Sequence, residues 1–182
     1  SAGLILSACG GNGSDISQVS PQETGERISI AIVDSIGIEL GDSNYVFANI
    51  MAVEHGPDGN IYVLDRAAYS LPVYSPDGEF IRRIGNQGSG PGELIMPLAM
   101  AVLGDGRIAI CDPMQRGINT FTPEGQWEGV SAEFNNNPPM RMTGADSNAF
   151  VALKLTIEFE EAPTTVFTIG RYEDDSEPAV LY

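Results

Sequence analysis

Apolar residues in this chain come in short runs separated by turn-forming residues, and no run is long enough for a helix of ordinary length. Ile61-Tyr62-Val63-Leu64, Pro72-Val73-Tyr74-Ser75, Phe80-Ile81-Arg82-Arg83-Ile84 and Ile108-Ala109-Ile110-Cys111 are rich in β-branched and aromatic side chains. Each is followed directly by Asp, Pro or Gly, which is the pattern of strands joined by tight turns. Farther on, Phe150 to Phe159 alternates apolar and polar residues, as a long half-exposed strand does. A turn at Ala162-Pro163-Thr164-Thr165 is expected to return it as Val166 to Tyr172, an elongated hairpin with Glu158, Glu160 and Glu161 directed to water. Near the beginning, Ile28 to Val33 and Ile36 to Leu40 read as two further strands. The 21 glycines and 12 prolines fall between the apolar runs, and the expectation is an all-β protein.

The strands recur. Asp58-Gly59 and Asp105-Gly106 stand 47 residues apart, as do Asp65 and Asp112 at the ends of the following runs. The same offset carries Tyr74-Ser75-Pro76-Asp77-Gly78 onto Phe121-Thr122-Pro123-Glu124-Gly125. Each unit reads as a four-stranded antiparallel meander. Its Asp-Gly and Pro-Asp-Gly turns draw on Gly59, Gly106, Gly78 and Gly125 for backbone angles that other residues resist. Such a unit cannot bury both faces alone, so copies must stack. Four strands in about 47 residues match the blade of a β-propeller rather than a helical repeat.

Gly85-Asn86-Gln87-Gly88-Ser89-Gly90-Pro91-Gly92-Glu93-Leu94 followed by Pro97 resembles the segment between blades of NHL-repeat proteins. The order Asp-Gly, apolar strand, Asp, aromatic, Pro-Asp-Gly resembles the rest of that family's blade. The whole is similar to six-bladed β-propeller lipoproteins of bacteria. The resemblance implies an incomplete ring: residues 46–94 as a first blade, 95–135 as a second and 136–182 as a degenerate third. In the third, Gly144-Ala145-Asp146-Ser147-Asn148 replaces the Asp-Gly turn and no Asp closes the next strand. Three blades do not close a ring, so the chain is expected to be a piece of a longer protein, with residues 27–45 as N-terminal strands able to complete the last blade.

The opening Leu6-Ser7-Ala8-Cys9-Gly10 resembles the lipobox of bacterial lipoproteins. That resemblance makes residues 1–9 the end of a signal peptide and Cys9 the lipidated residue. Residues 10–26, poor in apolar side chains, would be a flexible tether. Gly10 in place of an aspartate favours the outer membrane, facing the periplasm or the cell surface. The membrane would be reached only through the lipid on Cys9.

With 25 Asp and Glu against 9 Lys and Arg, the net charge of −16 excludes nucleic acid as a partner, because no basic stripe is available to replace counterions. A solubilising surface is the simplest role for the acidity. Asp65 and Asp112 are expected to cap backbone N–H groups, since every blade would need the same device. The glycines from Gly85 to Gly92 lack the spacing and the following helix of a phosphate cradle. His55 is the single histidine, and one histidine does not make the multi-histidine metal centre of the propeller lyases that NHL proteins resemble. Glu158, Glu160, Glu161, Asp174 and Asp175 read as a solvated acidic face, without the ligand spacing of a calcium loop. Cys111, with Cys9 lipidated, has no disulfide partner and packs as a small hydrophobe. No catalytic or metal residue is assigned, and no cofactor is expected, although calcium or another divalent ion could belong to the full-length protein. The function expected is non-catalytic binding or scaffolding of a protein or small ligand through one loop face. The alternative is a metal-dependent lactonase- or lyase-like propeller with its site partly in missing blades.

Overall fold

In a computed structural model, residues 31–32, 35–134, 137–159, 163–173 and 179–181 are described; for residues 131–133, 157–159, 163–164, 173 and 179–181 this extends to the backbone only. The chain divides into a leading unit, Ser1–Val33, and a compact unit, Asp34–Tyr182, which holds all the strands found among the described residues.

Those strands form three four-stranded antiparallel sheets. The first contains β1 (Ile50–His55), β2 (Ile61–Asp65), β3 (Leu71–Tyr74) and β4 (Phe80–Ile84), in that spatial order. The second contains β5 (Ala99–Val102), β6 (Ile108–Asp112), β7 (Gly117–Phe121) and β8 (Trp127–Glu133). In the third, β9 (Arg141–Asp146), β10 (Ala149–Phe159), β11 (Pro163–Glu173) and β12 (Ala179–Leu181) follow the same meander. Three stacked meanders of this kind are blades of a β-propeller, and the expected all-β fold class is the one found.

The turns repeat atom for atom. Asp58 Oδ1 accepts the Asn60 N–H at 3.0 Å, and Asp105 Oδ1 accepts the Arg107 N–H at the same distance. Gly59 and Gly106 follow these carboxylates at φ 81° and 88°, a region that costs an L-residue about 1 kcal/mol or more. In the outer turns Gly78 (φ 80°) donates to Ser75 O and Gly125 (φ 91°) to Thr122 O, both at 2.9 Å. The Ser75 and Thr122 hydroxyls accept the N–H of Glu79 and Gln126.

Packing explains why the middle blade reads as continuous apolar runs rather than alternation: both of its faces are covered. Met100, Val102, Ile108 and Ile110 point to the first blade and join Tyr62, Leu64, Leu71 and Val73 in one core. Their neighbours Ala99, Ala101, Ala109 and Cys111 point the other way, into a second core with Met142, Phe150 and Ala152. The large residues of the third blade thus meet the small ones of the second, and Tyr172 stacks on Phe150 at 5.2 Å.

Two sequence expectations change. Residues 36–40 form no strand: the chain doubles back, with Ile38 N–H bonded to Tyr45 O and Tyr45 N–H to Asp42 O, and Gly37 and Gly41 at positive φ. Tyr45 and Phe47 instead lie on Tyr74, covering the outer half of the first blade. The expected strand at 28–33 falls largely outside the described residues. The second strand of the hairpin also begins earlier than expected. The β10–β11 pairing runs unbroken from Ala149↔Glu173 to Phe159↔Pro163, so Pro163, Thr164 and Thr165 belong to the strand rather than to the turn. A proline as the first strand residue leaves no ladder donor missing inside the sheet.

Candidate functional site

The two repeated aspartates sit at one end of the blades. Asp65 is 1% exposed, and its carboxylate accepts N–H groups from Ala48, Asn49, Ala67 and Ala68 at 2.8–3.3 Å. Asp112, fully buried, accepts from Ile95, Met96 and Met114 at 2.7–3.0 Å. Each carboxylate therefore ties the segment entering an inner strand (β1 or β5) to the turn after β2 or β6. Those turns close on Tyr69 (φ 52°) and Arg116 (φ 61°), two non-glycine residues in the left-handed region at the same place in the repeat. With their oxygens engaged by backbone donors, the aspartates act here as posts for the loops around them.

The glycine segment between blades is filled by its own chain. Glu93 Oε2 accepts the Gly90 N–H at 2.8 Å, and a Cβ on Gly88 would fall 2.0 Å from that oxygen. Gln115 donates to Glu93 O at 2.8 Å and accepts from Asn119, which in turn accepts the Trp127 indole N–H at 3.0 Å. The glycine loop is thus occupied by a carboxylate of its own segment.

Exposed methionines and arginines are found on this face among the described residues. Met114 is 60% exposed, Met140 44% and Met96 36%, all on the face of the aspartates, where the chain turns after β6 or enters β5 and β9. Arg66, Arg116 and Arg141 stand on the same face, at the β2–β3 turn, the β6–β7 turn and the start of β9. Toward the axis the inner strands of the first and third blades meet: Arg141 donates to Met51 O at 3.0 Å, and the Thr143 hydroxyl to Glu54 Oε2 at 3.5 Å. Burial raises the Glu54 pKa above its ordinary 4.5, and the Thr143 donor offsets part of the rise.

On the opposite face the β1–β2, β5–β6 and β9–β10 turns converge on an open cavity of about 340 Å³, lined by His55, Pro57, Leu103, Gly144 and Asp146 among others. His55 is exposed there, and Asp146 faces Arg171 at 3.6 Å. Asp58 accepts hydrogen bonds from Asn60 and the Tyr62 hydroxyl. Burial raises the Asp58 pKa, but these bonds outweigh it and hold the carboxyl below its ordinary value, while burial and Asp58 push Tyr62 up to about 12. Among the described residues no three of His, Cys, Asp and Glu come together as metal ligands.

Cys111 is buried in the second core, where burial and Asp112 push its thiol up to about 12. Cys9 and the acidic side chains of Glu158, Glu160, Glu161, Asp174 and Asp175 lie outside the described residues. No helix among the described residues is long and apolar enough to cross a membrane. Sequence reasoning found the two aspartates but missed the methionine and arginine face, which only the stacking of blades assembles. The signal available was position: each of these residues follows a blade-ending aspartate within four positions or lies at the entry to an inner strand.

Stacked four-stranded blades with loops posted at one end define a β-propeller. The chain belongs to the six-bladed β-propeller family DUF5128, whose sequence profile matches residues 21–131. No curated protein matches it. Among solved structures, a protein of Bacteroides fragilis described provisionally as exported is 18% identical with a TM-score of 0.54, over 74% of this chain and 37% of that one. A gluconolactonase from Xanthomonas campestris is 12% identical with a TM-score of 0.51, over 75% and 48%. The WD40 repeats of RRP9 are 14% identical with a TM-score of 0.50, over 74% and 51%. The chain thus spans between about a third and a half of these structures' lengths. At such identities the likeness is one of fold.

Proposed function

We propose that this chain is a binding module, part of an NHL-like propeller, that recognises a protein partner through the face of Met96, Met114 and Met140. The observation that carries the reading is the set of exposed methionines on one face, two of which, Met96 and Met114, have their N–H groups held by Asp112. Flexible, polarizable thioethers adapt to varied apolar surfaces, and exposed apolar side chains gathered on one face mark interaction sites. Arg66, Arg116 and Arg141 beside them, in a chain of net charge −16, favour a partner segment with apolar and acidic side chains. The repeated aspartates support a non-catalytic role, because their oxygens serve backbone donors rather than a reacting group.

The module is tethered through a lipid on Cys9 to the outer membrane, facing the periplasm or the cell surface, with residues 10–26 as the tether. The Leu6-Ser7-Ala8-Cys9 sequence supports this reading. No cofactor is required by it, and nucleic acid is not a partner.

Elemental analysis of the full-length protein, purified without chelator, tests the non-catalytic reading. The expected result is metal far below one equivalent. One tightly held divalent ion per chain would instead support a metal-dependent propeller enzyme.

A further inference from the structure

The chain has six methionines, and the fold sorts them by access. Met100 is buried in the first core and Met142 in the second, while Met51 packs half-buried against the first. The exposed three, Met96, Met114 and Met140, all stand on the face of the aspartates. Oxidation of protein sulfur ordinarily begins at an accessible thiolate. Cys111 offers none: it is fully buried, and burial together with the Asp112 charge pushes its thiol up to about 12. Among the described residues, an oxidant arriving from solvent therefore meets the three exposed thioethers first.

The fold also tolerates the modification there. Asp112 holds Met96 and Met114 by their backbone N–H groups, and Met140 gives its own N–H to Leu153 O. None of these anchors uses the side chain, so an oxygen added at the sulfur leaves them in place. The same oxygen on Met100 or Met142 would bury a polar acceptor in a core. We propose that Met96, Met114 and Met140 form a reversible sulfoxidation site, and that its oxidation releases a partner held on this face; the release rests on the recognition reading above, whereas the site does not. The oxidant is a hypohalous acid or a peroxide. A sulfur lone pair attacks its electrophilic oxygen, the S–O bond forming as the O–Cl or O–O bond breaks, and chloride or hydroxide leaves with the bonding pair. Loss of the hydroxyl proton completes the sulfoxide, with sulfur oxidised and the oxidant reduced by two electrons. Each flexible apolar tip thereby becomes polar and chiral. A methionine sulfoxide reductase reverses the change at the expense of two thiols, which become a disulfide as the oxygen departs in water.

The site is tested on the purified full-length protein treated with hypochlorous acid, each methionine being followed by mass spectrometry of its peptide. Met96, Met114 and Met140 are expected to gain oxygen at least about tenfold faster than Met100 and Met142, with unchanged circular dichroism and with reversal by the reductases. Equal rates at all five, or unfolding in step with oxidation of the exposed three, would overturn the site. Release is read in the protein's own cells with a photo-crosslinking residue at position 114, where the oxidant should cut crosslinking by at least about tenfold. With Met96→Leu and Met140→Leu added, crosslinking should be equal with and without oxidant. A loss that persists in the leucine variant places the oxidation elsewhere and overturns the release, as do crosslinks that the oxidant leaves unchanged. No crosslinks before oxidant would mean that the recognition reading has failed and the release with it, while the methionine rates still decide the site.

Discussion

The smallest unit that explains this fold is a buried aspartate. Asp65 and Asp112 each accept three or four backbone N–H groups from two separate segments, and both side chains are buried. Truncating Asp112 to alanine would leave the part-buried amides of Ile95, Met96 and Met114 without this acceptor. We expect a loss of about 3 kcal/mol in urea unfolding, with Asp112→Asn recovering part of it through its remaining carbonyl oxygen. A loss within about 0.5 kcal/mol would mean that the loops hold themselves. These residues were legible in the sequence because they repeat at a fixed offset. Glu93, which fills its own glycine loop, was not, since nothing in the spacing says which carboxylate will turn back on its own amides.

At the scale of the element, turns and strand register carry the argument. Gly59 and Gly125 both adopt positive φ, yet their surroundings differ: a Cβ on Gly59 would find Pro76 at an ordinary 3.6 Å, whereas on Gly125 it would meet Ile84 Cγ1 at 2.7 Å. Gly59→Ala should cost about 1 kcal/mol from backbone strain alone. Gly125→Ala should cost more, about 2–3 kcal/mol, because overpacking between blades adds to it. Paired thermal melts read the difference, and equal losses would contradict the packing of that turn on the neighbouring blade. Strand positions were legible where Gly, Pro and Asp bounded an apolar run. They were not at residues 36–40, where the apolar residues alternate as in a strand but Gly37 and Gly41 let the chain fold back. Nor was the hairpin reversal, because ladder pairing draws Pro163 and the threonines after it into β11.

Where β1 and β9 meet, charge adds a pH dependence. Burial raises the Glu54 pKa in the folded state, so the ionised form weighs against folding at neutral pH. The sign follows from proton linkage: the penalty is present above the raised pKa and fades as pH falls below the ordinary value of 4.5. Glu54→Gln is therefore expected to melt higher than the unsubstituted chain at pH 7, with the gap closing by pH 4. A gap that stays constant across this range would remove burial of the carboxylate as its cause.

For the whole molecule, the repeat fixes the blade, and the blade fixes which residues share a face. The sequence shows no basic cluster, and a solubilising acidic surface was the reading that followed from its charge. Stacking nonetheless gathers Arg66, Arg116 and Arg141 with three exposed methionines on one side, although they are scattered over some seventy-five positions of the chain. Faces of this kind arise from superposing loops of successive blades, and no linear pattern announces them. The opposite face has the cavity beside His55 and Asp146, so the two sides offer a direct comparison. A photo-crosslinking residue placed at position 114 or 140, and separately at 58 or 105, in the full-length protein in its own cells would show which side meets a partner. The account predicts discrete crosslinked species from 114 and 140 and none from 58 and 105; crosslinks confined to 58 and 105 would contradict it.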